Sequence, residues 1–350
     1  MIHNICWRDF GFEQIPASYY SSLGTPYTRW VDVGMPKIDK MVIDSTFFLY
    51  KDAADANAGK NAKGTGFILV HQLLDSGGHL TSRHLYGVTN QHVASQYPVI
   101  RINKFDKSEI FEFDPSDWEF HPDGDDIAVV PLEVPDDAIE TFKAISSGQF
   151  VHESSSDDGF GVGDDVFMVG LFVDNEGVER NNPLARFGNI SMMPNDNSKI
   201  LRSTGDGRKV PQLSFIVDMH SRSGFSGSPV FVYRTFGSSF GSKGFSPVHV
   251  EYFNGDETKH EPLYTGLLKM KPLNMFAFLG IHWGQFPERY EIKKGNSVGG
   301  ETITGDDPLA MVEEGFYVSG FSGMTLVVPA WKILDVLNLP TLQRKREQTE

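Results

Sequence analysis

Short apolar runs separated by turn residues dominate this sequence and limit the folds open to it. The 350 residues include 35 glycines and 19 prolines, which interrupt regular structure and favour turns. Between these residues lie runs rich in β-branched and aromatic side chains, at 41–50, 66–70, 85–89, 99–103, 127–132, 166–173, 214–218, 230–233, 276–281 and 324–328. Many short strands with few helical periods are typical of an all-β sandwich or a pair of barrels.

One helix is predicted near the C-terminus. Pro329 precedes the segment AWKILDVLNL, in which Trp331, Leu334 and Leu337 are three residues apart and therefore share one face of a helix. The following segment, TLQRKREQTE at 341–350, is polar throughout. It is predicted to be a frayed tail.

The domain organisation is predicted from composition along the chain. Residues 152–158, HESSSDD, are acidic and serine-rich and suit a linker between two β-rich halves. Residues 1–38 are rich in aromatic side chains and are either an arm packed on the protein or a poorly ordered terminus. The predicted parts are an N-terminal arm at 1–38, a first β-barrel at 39–150, a second with the helix at 151–340, and the tail at 341–350.

Charge and cysteine content exclude several classes of protein. The formal net charge is -15, which argues against a nucleic-acid-binding protein that needs a basic face. Cys6 is the one cysteine, so no intramolecular disulfide forms. No apolar run approaches the 18 or so residues of a membrane span, and the first residues do not resemble an export signal. The expectation is a cytoplasmic protein with no membrane partner.

Three segments carry residues suited to nucleophilic catalysis. An apolar strand ends at TNQH, which includes His92; Asp126 stands directly before the apolar run 127–132; and Ser226 lies in the glycine-rich segment SGFSGSPV at 223–230. A histidine at a strand end or an aspartate before a strand is commonly structural, and Gly/Ser loops are commonly turns. Together they are more informative, because a serine hydroxyl needs a nearby base and that base needs a carboxylate to orient it.

The sequence resembles the trypsin/chymotrypsin-fold serine peptidases over roughly 38–340. The motifs that carry the resemblance are TNQHV at 89–93, DIAV at 126–129 and GFSGSP at 224–229, with weaker matches in GVGD at 161–164 and GIHWG at 280–284. The resemblance implies two six-stranded antiparallel Greek-key barrels with a C-terminal helix. It also implies a serine endopeptidase without a cofactor or metal, whose partner is a protein or peptide substrate.

The resemblance also implies roles for individual residues. Ser226 corresponds to the nucleophile, His92 to the base and Asp126 to the residue that orients it. The backbone N–H groups of Gly224 and Ser226 correspond to the oxyanion hole. Trp283 and Gly284 correspond to the strand that pairs with the substrate backbone; the other reading of Trp283 is a core aromatic residue.

One departure from the family pattern concerns activation. Many secreted relatives have an aspartate before the nucleophile, which pairs with a newly cleaved N-terminus, whereas this chain has Phe225. Phenylalanine cannot accept that salt bridge. The absence of disulfides and of an export signal makes the chain resemble an intracellular bacterial or phage-type branch of the family.

Specificity is suggested by a second resemblance, to the glutamyl endopeptidase branch. In that branch a histidine in the GIHWG motif and a hydroxyl residue five positions before the serine contact an acidic side chain. His282 and Ser221 occupy those positions, and both can donate hydrogen bonds to a carboxylate. The alternative is that His282 simply packs against Trp283.

Other functions are also considered. An α/β-hydrolase is excluded because that fold needs G-x-S-x-G and the order serine, acid, histidine. A catalytically inactive or partner-activated trypsin-like module that acts in binding, with a regulatory protein partner, stays open. The glycine- and charge-rich inserts at about 234–272 and 285–321 are lids, partner-binding loops or dispensable surface.

Overall fold

The computed structural model is described here for part of the chain. The described residues are 38–104, 107–153, 160–173, 175–205, 207–233, 276–291 and 317–349. The chain divides into two compact units, 1–35 and 36–350, and every described residue belongs to the second. The predicted arm, apart from Ile38, most of the predicted linker and most of both inserts lie outside the described residues.

Sixteen strands and five α-helices are found in the described part of the chain. The strands are β1 (Thr46–Tyr50), β2 (Gly64–Leu74), β3 (Leu80–Thr89), β4 (Val99–Asn103), β5 (Ser108–Glu112), β6 (Glu119–Phe120), β7 (Ala128–Pro131), β8 (Ile145–Ser146), β9 (Asp165–Gly170), β10 (Leu184–Met192), β11 (Ile200–Ser203), β12 (Lys209–Gln212), β13 (Phe215–Asp218), β14 (Pro229–Tyr233), β15 (Phe276–Glu291) and β16 (Tyr317–Pro329). The helices are α1 (Lys40–Asp44), α2 (Ala53–Ala58), α3 (Gln91–Ala94), α4 (Trp331–Leu337) and α5 (Pro340–Thr349). The protein is mostly β, as predicted.

The first half is an open sheet, which corrects the prediction of a closed six-stranded barrel. Its strands lie in the order β5-β4-β1-β2-β3-β7-β6, and β8 adds to β2 in parallel. Aromatic side chains connect the two edges, because Phe113, just after β5, packs edge-on against Trp118, just before β6, with ring centroids 5.9 Å apart. Side-chain packing takes the place of a closing hydrogen-bonded ladder, since β6 is two residues long.

The second half contains a closed barrel of six strands in the order β10-β13-β16-β15-β14-β9. This agrees with the prediction for that half. A separate two-stranded hairpin, β11 with β12, stands between β10 and β13 in the chain and outside the barrel. Greek-key connection of both halves stays a prediction.

The central strands of the first half are buried on both faces, β1 and β4 throughout and β2 over its first six residues. On β2, Ile68 belongs to the core inside the first sheet, whereas its neighbours Phe67 and Leu69 belong to a larger core shared with the barrel. Neighbouring residues of a strand point to opposite faces. The continuous apolar runs of the sequence are therefore explained by burial between the two halves.

The C-terminal segment ends in two helices. Residues 341–349, predicted as a frayed tail, instead belong to α5, where Leu342 and Arg346 are buried. Arg346 donates to Tyr86 Oη at 2.9 Å and to Leu337 O at 2.9 Å, so a charged residue anchors the polar helix. None of the helices in the described ranges has the length and hydrophobicity needed to cross a membrane.

Candidate functional site

Two of the predicted site residues meet at the ends of adjacent strands. β3 pairs with β7 in the register Thr89 with Ala128, so the residues that follow β3 lie beside those that precede β7. His92 Nδ1 is 2.6 Å from Asp126 Oδ2, and the His92 backbone N–H donates to Asp126 Oδ1 at 3.1 Å. The short helix α3 therefore presents both the ring and the backbone of His92 to one carboxylate.

The Asp126 carboxylate is fully buried and charged. Burial by itself raises the pKa of Asp126, but the hydrogen bonds from His92 and the charges of His92 and Arg202 outweigh it and lower the pKa below the usual value. The backbone of Asp126 is held as well, because its N–H donates to Gln212 Oε1 at 3.0 Å and its carbonyl accepts from Asn90 Nδ2 at 2.8 Å.

The tautomer of His92 follows from these contacts. An ionised carboxylate only accepts hydrogen bonds, so Nδ1 carries the proton shared with Asp126. The other ring nitrogen, Nε2, then carries a lone pair and is an acceptor in neutral imidazole. With 41% of the His92 side chain exposed, this histidine is suited to act as a base toward a ligand at the surface.

The loop that contains Ser226 is attached to the first half through Thr65. The Thr65 N–H donates to Ser226 O at 2.9 Å, and its hydroxyl donates to Gly224 O at 2.7 Å. Thr65 O in turn accepts from the hydroxyl of Thr89, three residues before His92, at 2.6 Å. These contacts bring the loop between β13 and β14 to the end of the sheet that carries His92.

Glycines permit the backbone of this loop. Gly224 has φ of +97° and lies at the third position of a turn closed by the Phe225 N–H donating to Arg222 O at 3.3 Å, which is the pattern of a type II turn. Gly227 has φ of +88°, and a Cβ there would overlap Thr65 O and Thr89 Oγ1. Both positions therefore require glycine.

The hydrogen bond between the predicted nucleophile and base is not formed. Across the described residues, no hydrogen bond joins Ser226 Oγ to His92 Nε2. The side chain of Ser226 is partly exposed. The structure therefore brings His92 and Asp126 into contact and places Ser226 on a neighbouring loop without the third hydrogen bond, a common arrangement in unliganded sites.

Phe225 stands directly before the predicted nucleophile. Its ring is fully buried in the core shared by the two halves. A Cβ on Gly170 would lie 2.8 Å from Phe225 Cδ1, so the ring lies directly on the β9 backbone. An apolar contact holds this part of the loop.

Ser221 and His282 contact each other. Ser221 Oγ is 2.7 Å from His282 Nε2, and His282 Nδ1 is 3.2 Å from Leu326 O. Since a carbonyl only accepts, Nδ1 carries the ring proton and Nε2 accepts from Ser221. Complete burial lowers the pKa of His282 to about 4, so the ring is neutral at pH 7.

Trp283 and Gly284 follow on the same strand. The Trp283 ring is largely buried, and its Nε1 donates to Ser214 Oγ at 3.0 Å. Beyond His282, β15 continues to pair with β16, while its pairing with β14 ends at Ile281. The opposite edge at Trp283 and Gly284 thus has no strand neighbour within the described residues, which suits pairing with an extended chain.

Sequence reasoning missed three residues of this site: Thr65, Arg202 and Gln212. Thr65 lies directly before the recognised apolar run at 66–70, and a threonine there is an ordinary β-forming residue. Arg202 and Gln212 belong to a polar hairpin without any motif. No group of three or more His, Cys, Asp or Glu side chains in the described ranges is arranged to hold a metal ion.

Comparison with known proteins finds similarity to solved proteases. No protein-family model matches the chain, and no curated protein matches it. The inactive form of Rv3671c protease is 13% identical over 85% of this chain and 88% of that chain, with a TM-score of 0.38. The active form, from M. tuberculosis, is 15% identical over 85% and 80%, with a TM-score of 0.39.

A further similar structure is the HtrA-type protease AlgW with decapeptide. It is 18% identical over 53% of this chain and 46% of that chain, with a TM-score of 0.28. The chain thus spans less than half of that protein's length. Because all three identities are below 20%, the roles of individual residues are inferred from the geometry of this chain.

Proposed function

We propose that this protein is a serine endopeptidase that uses Ser226, His92 and Asp126. The observation that carries the proposal is the 2.6 Å contact between His92 Nδ1 and the buried Asp126 carboxylate. A buried carboxylate that fixes the tautomer of a partly exposed histidine is the arrangement that a serine nucleophile needs. The attachment of the Ser226 loop to the same end of the sheet supports it.

The reaction has two halves. Ser226 Oγ attacks the carbonyl carbon of the scissile bond while its proton passes to His92 Nε2. His92 then gives the proton to the leaving amine, the C–N bond breaks, and an ester on Ser226 remains. A water molecule attacks this ester, with His92 taking one proton and returning it to Ser226 Oγ as the acid product leaves.

Each attack develops a negative charge on the carbonyl oxygen. The backbone N–H groups of Gly224 and Ser226 are the proposed donors to that oxygen. The positive φ of Gly224 supports this role, because a type II turn reverses the peptide that carries its N–H relative to a type I turn. Losing one such donor typically costs about 2.7–4 kcal/mol of transition-state stabilisation.

The substrate is proposed to bind as an added strand. The open edge of β15 at Trp283 and Gly284 supplies backbone groups, and a Cβ on Gly284 would approach nothing closer than Leu326 Cδ1 at 3.9 Å. Main-chain hydrogen bonds of this kind bind any extended peptide, and side-chain pockets then provide specificity.

The Ser221–His282 pair is proposed to favour an acidic residue before the scissile bond. A carboxylate would accept the hydroxyl hydrogen of Ser221 and stabilise a proton on His282. Since burial lowers the pKa of His282 to about 4 in the free protein, binding of an acidic side chain would be coupled to uptake of a proton.

A second function has one observation in its favour. The missing hydrogen bond between Ser226 Oγ and His92 Nε2 in the described structure is what a catalytically inactive or partner-activated binding module would have. Such a module would bind peptides on the β15 edge without cleaving them.

Covalent labelling separates the two functions. A fluorophosphonate reagent reacts with an activated serine, so mass spectrometry of the wild-type protein should find the adduct on Ser226. Ser226→Ala and His92→Ala should abolish it, whereas urea-unfolded wild type controls for nonspecific reaction. Absence of labelling in the folded protein would favour the binding module.

A peptide series tests the acidic preference. Matched peptides with Glu, Gln, Asp or Leu before the scissile bond should give the largest kcat/KM for Glu or Asp. The ratio of Glu to Gln should rise as the pH falls from 8 to 6, because His282 takes up a proton with the carboxylate. Equal rates for Glu and Gln at every pH would remove this part of the proposal while leaving the peptidase assignment intact.

A further inference from the structure

The hairpin of β11 and β12 lies outside the barrel but contacts the centre of the site. Arg202 pairs with Val210 across the hairpin, and its side chain is only 8% exposed. Gln212, at the end of the second strand, is fully buried. Both residues reach Asp126, which belongs to the first half of the chain.

Arg202 binds the carboxylate and the chain beside it. Its Nη1 is 3.4 Å from Asp126 Oδ1, and its Nη2 donates to Gly124 O at 2.7 Å. Arg202 Nε is buried without a hydrogen-bond partner in the described structure. Burying a guanidinium with one N–H unpaired is costly, so its position is set by the contacts with Asp126 and Gly124.

Both oxygens of the carboxylate are therefore engaged. Oδ2 accepts from His92 Nδ1, and Oδ1 is shared by the His92 N–H and the guanidinium of Arg202. The backbone of the same residue donates to Gln212 Oε1 at 3.0 Å. The hairpin thus helps to fix the rotation of the Asp126 side chain through Oδ1.

We propose that Arg202 is a positioning residue of the His92–Asp126 pair, which holds the carboxylate in place and favours the neutral form of the imidazole. This inference rests on the proposed function for its consequence in catalysis. These contacts connect the β11–β12 hairpin of the second half to Asp126 of the first half.

The sign of the electrostatic effect follows from the charges around the pair. Arg202 contributes a fixed positive charge, and the ring of His282 on β15 is neutral at pH 7 because its pKa is lowered to about 4. Asp125, the neighbour of Asp126, is engaged elsewhere. The charged groups that act on Asp125 are His121 and Asp123 of the same segment and Lys199 and Lys332 of other segments.

A fixed cation next to Asp126 opposes a second positive charge on the imidazole. Removing the guanidinium therefore lets the pair take up its proton at a higher pH. The macroscopic midpoint belongs to the His92–Asp126 pair as a unit. Coulomb repulsion between the guanidinium and a protonated His92 ring, at an effective dielectric of about 20, corresponds to a shift on the order of one pH unit.

The first experiment does not depend on catalysis. In full-length Ser226→Ala protein with labelled histidine, NMR follows the His92 ring from pH 4 to 9, with assignment by His92→Asn. Adding Arg202→Met should raise the midpoint of the pair by roughly one pH unit. Arg208→Met removes an exposed arginine from the same hairpin and should leave the midpoint within about 0.2 unit, because exposed distant charges are screened.

The second experiment measures reaction. The rate of Ser226 labelling by a fluorophosphonate is followed against pH in Arg202→Met, Arg202→Lys and Arg208→Met. The acid limb of the pH profile should move to higher pH in Arg202→Met. The labelling rate should therefore fall most, relative to wild type, near pH 5.5 and less near pH 8.5. Arg202→Lys keeps the charge and should restore most of the limb, whereas a purely structural defect would lower the rate equally at every pH.

Several outcomes would overturn the inference. An unchanged midpoint in folded Arg202→Met would do so, as would an equal shift in Arg208→Met. If Arg202→Met does not fold, Arg202→Gln decides, because it keeps hydrogen-bond donors but removes the charge, and an unchanged midpoint in that variant would count against the inference. If Arg202→Met shifts the midpoint but the wild-type protein is never labelled at Ser226, the peptidase assignment is refuted and the positioning role of Arg202 holds.

Discussion

Thr65 makes three contacts that join the two halves at the site. Its hydroxyl donates to Gly224 O at 2.7 Å and accepts from the Leu171 N–H at 2.9 Å, while its own N–H donates to Ser226 O. One buried side chain thus holds the carbonyl of the residue whose N–H is proposed to bind the oxyanion. The backbone contacts survive substitution, but the hydroxyl contacts do not.

Replacing Thr65 by valine tests this role. The variant keeps the shape but leaves Gly224 O and the Leu171 N–H without a partner, at a cost of about 1–3 kcal/mol in unfolding free energy. We expect kcat to fall more than ten-fold with KM nearly unchanged, because the oxyanion donors shift while the β15 edge is untouched. Peptidase kinetics and urea unfolding measure both effects. Thr65→Ser is the matched control, and a valine variant with normal kcat would contradict the role.

Because His282 is buried in its neutral form, the free energy of unfolding is expected to depend on pH. Burial lowers the pKa of His282 to about 4, below the 6.5 of an exposed histidine. Its contribution to the unfolding free energy is therefore complete above pH 6.5 and is lost as the pH falls toward 4. The loss between pH 7 and pH 5 is about 2 kcal/mol for this residue.

Urea unfolding of wild type and His282→Gln at pH 7 and pH 5 measures that loss. The wild type should lose more unfolding free energy than the variant over this interval. Burial also lowers the pKa of His71 to about 4. Because His71 is present in both proteins, its contribution to the pH dependence cancels when the two are compared. Identical pH dependence in the two proteins would show that His282 is not buried in its neutral form.

At the level of elements, the apolar runs predicted the strands well and the irregular parts poorly. The run at 41–50 begins with α1, because Asp39 caps a helix by accepting from the Met41 N–H at 2.8 Å before β1 starts. The open first sheet was also missed, since whether edge strands pair depends on contacts between distant segments. Local pattern determines a strand but not its neighbours.

The docking of α5 gives a test at this scale. Its composition is polar, yet Leu342 is fully buried in the shared core. Leu342→Ala should lower the unfolding free energy by about 2–5 kcal/mol, because it removes buried methyl groups and leaves a cavity. Calorimetry or urea unfolding measures the change. Gln343→Ala, at an exposed neighbouring position, should be nearly neutral, and equal small effects would restore the interpretation as a frayed tail.

At the level of the whole molecule, the candidate site combines what sequence can and cannot predict. His92, Asp126 and Ser226 stand in local motifs with recognisable turns, and the structure brings the first two together. Arg202 was missed, because its meeting with Asp126 depends on how a hairpin of the second half folds back across 76 residues of chain. Thr65 was missed because a buried threonine in a strand carries no signal of its partner.

The two halves are also linked away from the site by Arg101 on β4. Its guanidinium is buried and donates to Asn181 Oδ1 at 2.7 Å and to Gly177 O at 2.6 Å, both in the loop between β9 and β10. The start of that loop, at Leu171 and Val173, packs against Gly224, where an added Cβ would contact both side chains. Arg101 therefore supports the proposed oxyanion loop from a distance.

Arg101→Met tests this link. The variant leaves Asn181 and the loop carbonyls unpaired, so we expect the unfolding free energy to fall by about 3 kcal/mol. We also expect the labelling of Ser226 to slow at least five-fold at 10 °C, a temperature at which the variant stays folded. Arg83→Met, which removes an exposed ion pair with Glu140 from the same sheet, should cost less than about 1 kcal/mol and leave labelling unchanged. Because one core is shared by both halves, unfolding should remain a single transition in each variant. Separate transitions, or normal labelling in Arg101→Met, would mean that the loop is held independently of the first half.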